Sequence, residues 1–284
     1  MDSTSIILKI ICPDRPGLVS QLSSWVSNNG GNIIHADHHS DNRANLFLSR
    51  IEWNLDGFYI SRKDISLEVE ILSGKLGGSF EIGFSDERPN AAIFVSKQDH
   101  CLIDLLWRMK SAELNMRVPL IISNHPDLEK IATDFGADFQ YIEIFQENKL
   151  ESEKKIIKLL SLHDIQLIIL AKYMQVLSDQ FLSNSPPAIN IHHSFLPAFK
   201  GAQPYHRAWE RGVKVIGATA HYVTKDLDDG PIIEQCIVNV SHRDDVKDLI
   251  RKGRDLERMA LARAVRLHLK KQVFVYQNRT AVFA

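Results

Sequence analysis

A chain of 284 residues, 44% hydrophobic and 24% charged, has material for more than one core and too much apolar content for wholesale disorder. Its formal net charge of −1 gives no general attraction to nucleic acid or to an anionic membrane surface, so an anionic ligand has to be held by local groups. No run approaches the ~18 continuous apolar residues of a membrane span.

The opening stretch MDSTSIILKIICPDRPG lacks a basic start and its apolar run is broken by Lys9, so it reads as a first strand and not as a signal peptide. Cys12, Cys101 and Cys236 are odd in number, widely spaced and without a CxxC pair, which suits free thiols in a reducing cytoplasm. After the turn PDRPG, Leu18, Leu22, Trp25 and Val26 recur at helical spacing, and Asn28 to Gly31 end that helix. NIIHADHHSD and NLFLSRIEW predict two strands joined by DNRA, KDISLEVEIL a second helix, and GSFEIGF a last strand. The order βαββαβ is that of a ferredoxin-like sandwich over residues 1–84. SDERPN, residues 85–90, is charged, carries a proline and reads as a linker.

From residue 91 to 284 the pattern changes. The apolar runs AAIFV, VPLIIS, IQLIILA and AINI alternate with helices predicted near 102–114, 126–135 and 151–163, the first marked by Leu102, Leu105, Leu106 and Met109. Short apolar strands separated by helices predict a mainly parallel, Rossmann-like α/β sheet covered on both faces. Two longer strands, VIGATAHYVT and PIIEQCIVNV, are joined by KDLDDG, and QVFVYQNRTAVF follows a long helix rich in Arg and Leu.

In an open α/β sheet the ligand sits beyond the carboxyl ends of the strands, and INIHHSFLPAFKG, residues 189–201, lies at such an end. Asn190 and His192 are two apart on an extended chain and share a side, whereas His193 is expected to point the other way. An amide and an imidazole that converge on one point suit a carbonyl oxygen acquiring negative charge. The alternative is an Asn capping a turn and a His satisfied in the core. Asp226, Asp228 and Asp229 sit in a turn ended by Gly230-Pro231, which is ordinary turn chemistry; a carboxylate brought beside His192 would also orient its ring and raise its proton affinity. His35, Asp37 and His39 share a strand face, and His192, His193, His206 and His221 recur later, but no thiol ligand spacing accompanies them and no metal is expected. Ser194 lacks a G-x-S-x-G elbow and reads as a loop-stabilising hydroxyl; GKLGGS lacks dinucleotide-loop spacing.

The stretch from INIHHSFLP to TKDLDDGPII resembles the formyltetrahydrofolate deformylases of the formyltransferase family, with their N-x-H, S-x-L-P and later D-x-G patterns. VSKQDHCLIDLLWRMKSAEL, ISNHPDL and VFVYQNRTAVF are similar to them as well, and CPDRPGLVSQLS resembles the opening of an ACT domain. The resemblance implies hydrolysis of 10-formyltetrahydrofolate to tetrahydrofolate and formate, balancing one-carbon pools and supplying formate for purine synthesis, with no cofactor beyond that substrate. It implies that Asn190 and His192 stabilise the oxyanion and that Asp228 holds the imidazole charged or takes a proton from water. Met174, Gln175, Val176 and Leu177 would bind the pterin on one side, Val223, Lys225 and Asp226 would close the other, and Thr219 would bind substrate near the carboxylate. Gln175 stands where some relatives carry Arg, which leaves Lys172 or Lys225 to meet the folate's glutamate tail. His193 and His206 would shape the acceptor side.

Transfer to an amine is the first alternative. Against it, VSKQDHC lacks the glycine cradle of the glycinamide ribonucleotide relatives, and the chain lacks both the extra domain and the positive charge expected of the methionyl-tRNA relatives. A folate- or amino-acid-binding regulator without catalysis is the second alternative. For the ACT-like domain the resemblance implies a homo-oligomer and an amino-acid effector, glycine or methionine, touching Asp14, Gly17, Gly31 and Asn32.

Overall fold

The computed structural model describes residues 4–197 and 204–284, so the end of the INIHHSFLPAFKG motif, 198–201, lies outside the described residues. The chain divides into two compact units: residues up to Glu87 with Lys270–Phe274 and Ala281–Ala284, and Arg88–Leu269 with Val275–Thr280.

The first unit runs β1 (Ser5–Pro13), α1 (Leu18–Asn28), β2 (Ile33–Asp41), β3 (Leu46–Asn54), α2 (Ile65–Leu76) and β4 (Ser79–Phe84). Its sheet has the order β2-β3-β1-β4, with β3 paired antiparallel to β1 and β2, and β1 to β4. This is the βαββαβ sandwich that periodicity predicts. Gly17 at φ 86° begins α1 in a conformation that favours glycine, and Leu18, Leu22 and Val26 fall on its buried face at intervals of four. Ile65, Val69, Leu72 and Leu76, spaced four, three and four, form the buried face of α2, which ends on Gly77 at φ 70°. Both helices close over a core centred on Trp53, with Trp25 edge-on to it at 6.1 Å. Strand β2, at the sheet's edge, is exposed or half-exposed along its length.

The second unit runs β5 (Asn90–Val95), α3 (His100–Lys110), β6 (Arg117–Ser123), α4 (Glu129–Asp134), β7 (Asp138–Tyr141), α5 (Lys149–Leu162), β8 (Ile165–Leu170), α6 (Asp179–Ser183), β9 (Ala188–His192), α7 (Pro204–Arg211), β10 (Val215–Tyr222), β11 (Ile232–Asn239) and α8 (Val246–Leu269). The seven-stranded sheet has the order β11-β10-β9-β8-β5-β6-β7. Strands β9, β8, β5, β6 and β7 are parallel, while β10 and β11 extend the sheet antiparallel. The order reverses between β5 and β8, the switch point at which such sheets leave a crevice. Apolar runs such as Ile168, Ile169 and Leu170 are buried because helices cover both faces. Strand β7 and helix α6 were not read from the sequence; DFQY and DQFLS are too short to show a period.

β12 (Val273–Tyr276) and β13 (Arg279–Val282) form a two-stranded sheet. Sequence pattern assigns all of 91–284 to the second domain, but Lys270–Phe274 and Ala281–Ala284 pack with the first unit. Phe274 is buried there under the Lys9 ammonium, 5.1 Å from the ring centroid, and Lys271 bonds Glu81 at 2.6 Å. Local composition carries no sign of that long-range return.

A Cβ at Gly31 would stand 2.5 Å from Val26 Cγ1 and 3.0 Å from Trp53 Cδ1, so the position is a packing requirement of the first core. Gly31→Ala is expected to cost about 1–3 kcal/mol by overpacking, read as a lower urea midpoint; an unchanged midpoint would show that the core yields freely.

Candidate active site

The site forms where β8 and β9 end. Antiparallel pairing sets His221 of β10 opposite Asn190 of β9, and Thr219 opposite His192. Alternation therefore puts all four side chains on one face. The connection from β10 to β11 then folds back over the strand ends. It is tied to β9 by Val223 N–H bonding to Ala188 O at 2.8 Å and closed by Tyr222 N–H bonding to Pro231 O at 2.9 Å. Gly230 permits that closure, since a Cβ there would lie 1.8 Å from Tyr222 O. Within the turn Asp228 takes φ 54°, a left-handed backbone that Asp tolerates better than most residues.

The result is a carboxylate at the imidazole: Asp228 Oδ1 lies 3.1 Å from His192 Nδ1 and 3.9 Å from His221 Nε2. Burial alone would raise the Asp228 carboxyl. The hydrogen bond and charge of His192, with His221 and His193 beyond, outweigh this and hold it below the usual carboxylate value. His192 is buried, and its Nε2 has no hydrogen-bond partner among the described residues. His221 Nδ1 bonds Tyr222 O at 2.8 Å, which leaves Nε2 to accept from Asn190 Nδ2 at 3.3 Å. Burial lowers the proton affinity of His221, favouring that neutral tautomer. The Asn190 amide is thereby oriented and keeps a second N–H for a ligand. Sequence reasoning counted His221 only among scattered histidines; its cross-strand partner, visible once β9 and β10 are paired, reveals its part.

A cleft of about 270 Å³ opens on these groups. Met174, Gln175, Val176 and Leu177 line one side, and Val223, Lys225, Asp226 and Asp228 line the other, together with Asn190, His192 and His193. Met174, Val176 and Leu227 are large apolar side chains left exposed around it, as a flat aromatic ligand would require. The first wall is held from below by Ser96, whose hydroxyl accepts from Met174 N–H at 3.0 Å and donates to Asn124 Oδ1 at 2.6 Å.

Four expectations need correction. His193 does not point away: β9 ends at His192, so alternation stops there, and the two imidazoles stack with centroids 4.9 Å apart and planes 17° apart. Lys172 is not free for a glutamate tail; it is buried, with Nζ 3.3 Å from Glu257 Oε1 and 3.1 Å from His193 Nδ1. Thr219 lies outside the cleft lining, its hydroxyl engaged by Ser194 O, Leu196 N–H and the Gln235 amide, so it pins the SFLP segment behind His192. His206 is exposed on α7 and is not part of the cleft lining. In the first unit Asp14 is half-buried and bonds Asn45 O through its N–H, Gly17 starts α1, and Asn32 is exposed before β2.

Behind the cleft, Glu257 of α8 is fully buried and bonded to His100 Nε2 at 2.7 Å, the Tyr205 hydroxyl at 2.8 Å and Lys172. Burial alone would raise its carboxyl, but His100, Lys172 and Tyr205 together bring it down to about 2. His100, Cys101 and Glu257 offer donor atoms within 4.8 Å of one another. With an ammonium already on Glu257 and the Cys101 thiol pushed up by burial, their chemistry favours proton-bearing partners over a divalent cation.

The family model described as formyl transferase matches residues 89–265. A formyltetrahydrofolate deformylase from Synechocystis sp. is 57% identical over 284 residues, covering 100% of both chains. One from Bacillus subtilis is 42% identical over 278 residues, covering 97% of this chain and 93% of that one. The crystal structure of a formyltetrahydrofolate deformylase from Pseudomonas syringae pv. tomato superposes with a TM-score of 0.97 at 38% identity, covering 100% of this chain and 96% of that one.

The depressed Glu257 carboxyl gives a signed prediction. Its stabilising contribution is fully present above the ordinary carboxylate value of 4.5 and is lost as pH falls towards about 2. Urea midpoints are expected to drop as pH falls below about 4.5, with a shallower drop in Glu257→Gln; equal slopes would remove this carboxyl as the source.

Proposed function

The chain belongs to the formyl transferase family, among its formyltetrahydrofolate deformylases, and we propose that it hydrolyses 10-formyltetrahydrofolate to tetrahydrofolate and formate. The observation that carries this reading is the pairing of His192 Nδ1 with Asp228 Oδ1 at 3.1 Å, beside Asn190, in a cleft with apolar walls.

Water attacks the formyl carbon and loses a proton to the Asp228 oxygen not engaged with His192. The resulting oxyanion receives hydrogen bonds from the Asn190 amide and from Nε2–H of the His192 imidazolium, each donor worth about 3 kcal/mol in such sites. When the carbon–N10 bond breaks, His192 delivers its proton to N10, an aryl amine that leaves as the neutral NH. Asp228 then loses the proton it took to solvent, His192 Nε2 regains one from solvent, and formic acid departs and ionises. Met174 to Leu177 and Val223 to Asp226 hold the pterin between them, and Lys225, exposed at the rim, is the cation left for the glutamate tail. No cofactor enters this sequence of steps.

Two features favour water over an amine acceptor. The loop after β5 carries side chains where transferase relatives carry a glycine cradle, and its His100 is committed to Glu257. The His193 ring fills the flank of His192.

The first unit is proposed to act as an ACT domain in a homo-oligomer. In support, β2 is an exposed edge strand and the turn at Gly17 brings backbone to the surface. Glycine or methionine is the proposed effector. The proposed setting is the reducing cytoplasm, consistent with Cys12, Cys101 and Cys236 being unpaired.

Chelator-treated protein given 10-formyltetrahydrofolate without an acceptor is expected to release formate steadily. Tight folate binding without formate, and turnover only when an amine is added, would establish the transferase instead. Asp228→Asn is expected to keep its unfolding midpoint and lose about 10²–10⁴ in kcat; near-normal turnover would remove Asp228 from the proton path. Titration calorimetry with glycine and methionine tests the effector, and the absence of heat with both would leave the first unit an assembly element.

A further inference from the structure

The strongest feature that the reaction does not use is the buried charge behind His193. Its ring lies between two carboxylate systems. From the turn after β10 Asp228 faces the adjoining His192 ring, and from α8 Glu257 faces Lys172. Lys172, just past the end of β8, adopts φ 66°, unfavourable for a side chain with a Cβ, and directs Nζ to within 3.1 Å of His193 Nδ1. Tyr205 of α7 donates to Glu257 at 2.8 Å, and its ring centroid lies 6.4 Å from that of His193. Gly253, one turn before Glu257 on α8, makes room for Tyr205: a Cβ there would fall 2.0 Å from the phenol oxygen. His100 of α3 completes the set on the second carboxylate oxygen, with the Cys101 thiol beside it.

An ammonium can only donate, so His193 Nδ1 must present a lone pair to it, and the His193 proton then resides on Nε2. Two stacked imidazoles 4.9 Å apart would repel if both were charged. We propose that Lys172, anchored by Glu257, is a positioning residue that keeps His193 neutral and stacked, so that the imidazolium of the reaction forms on His192 alone, against Asp228. Burial, Lys172 and His192 together bring the proton affinity of His193 down to about 4, in the same sense. The role rests on the hydrolytic reading above, in which His192 carries the mobile proton.

The test uses the full chain labelled with 15N-histidine, with the His193 ring resonances identified by comparison with His193→Gln. Long-range 15N–1H spectra of the wild type are expected to show His193 neutral, with its proton on Nε2, from about pH 8 down to about pH 5. In Lys172→Met its midpoint is expected to rise by about one pH unit, the acid limb of kcat moving with it, and Lys172→Arg is expected to restore both. A wild-type His193 that titrates near its ordinary value, or carries its proton on Nδ1, overturns the proposal, and this spectrum is decisive even where Lys172→Met does not fold. A folded Lys172→Met in which His193 titrates as in the wild type also overturns it. The spectra need no substrate: a neutral His193 in a protein that releases no formate would refute the hydrolytic reading and leave the Lys172–His193 contact standing.

Discussion

An imidazole and a carboxylate 3.1 Å apart, both largely withdrawn from water, form the contact on which the rest of the second unit depends. The two residues are 36 positions apart in the chain and come together only because β10 pairs with β9 in one register. A slip of one residue would turn His221 and Thr219 to the opposite face and leave Asn190 and His192 beside apolar neighbours. The closing turn adds a second requirement, a backbone approach at Gly230 too close for any other residue. Together these constraints make the His192–Asp228 pairing a consequence of sheet geometry, and the loop adds only the last few ångströms.

Charge is segregated around that contact. Asp228 faces the cleft with His192, while Glu257 faces inward with Lys172, His100 and Tyr205, so each buried carboxylate has its own partners. A buried carboxylate without such partners would be strongly destabilising. The stacked pair His192–His193 separates the two groups, and its tautomers follow from what each ring faces. Local conformational preference is overridden at Lys172 and Asp228, both at positive φ and both bearing charge at the site.

The first unit shows the opposite balance. Its helices present apolar residues at intervals of three and four, its strands meet in the order their turns suggest, and Gly17, Gly31 and Gly77 sit where positive φ or close packing requires them. Every level of the sequence agrees with the fold there, which is why its topology was legible residue by residue. The exception is the chain's final segment, whose Phe274 and Lys271 rejoin a unit that the rest of the chain left near residue 87. Such a contact spans almost two hundred positions and leaves no local period to read.

The sequence by itself determined the two α/β architectures, through periods of 2 and 3.6 that reflect which faces are buried. Its spacing also placed Asn190 and His192 on one side of a strand end, and the family resemblance singled out Asp228 among the three aspartates of the turn. What the tertiary structure decided is the company these residues keep. His221 became an orienting partner of Asn190, His193 turned towards His192 because its strand stopped one residue earlier, and Lys172 was drawn into a buried ion pair and away from the substrate. Alternation along one strand says which side a residue faces, but which groups meet on that side is set by strand pairing and helix packing between segments far apart in the chain.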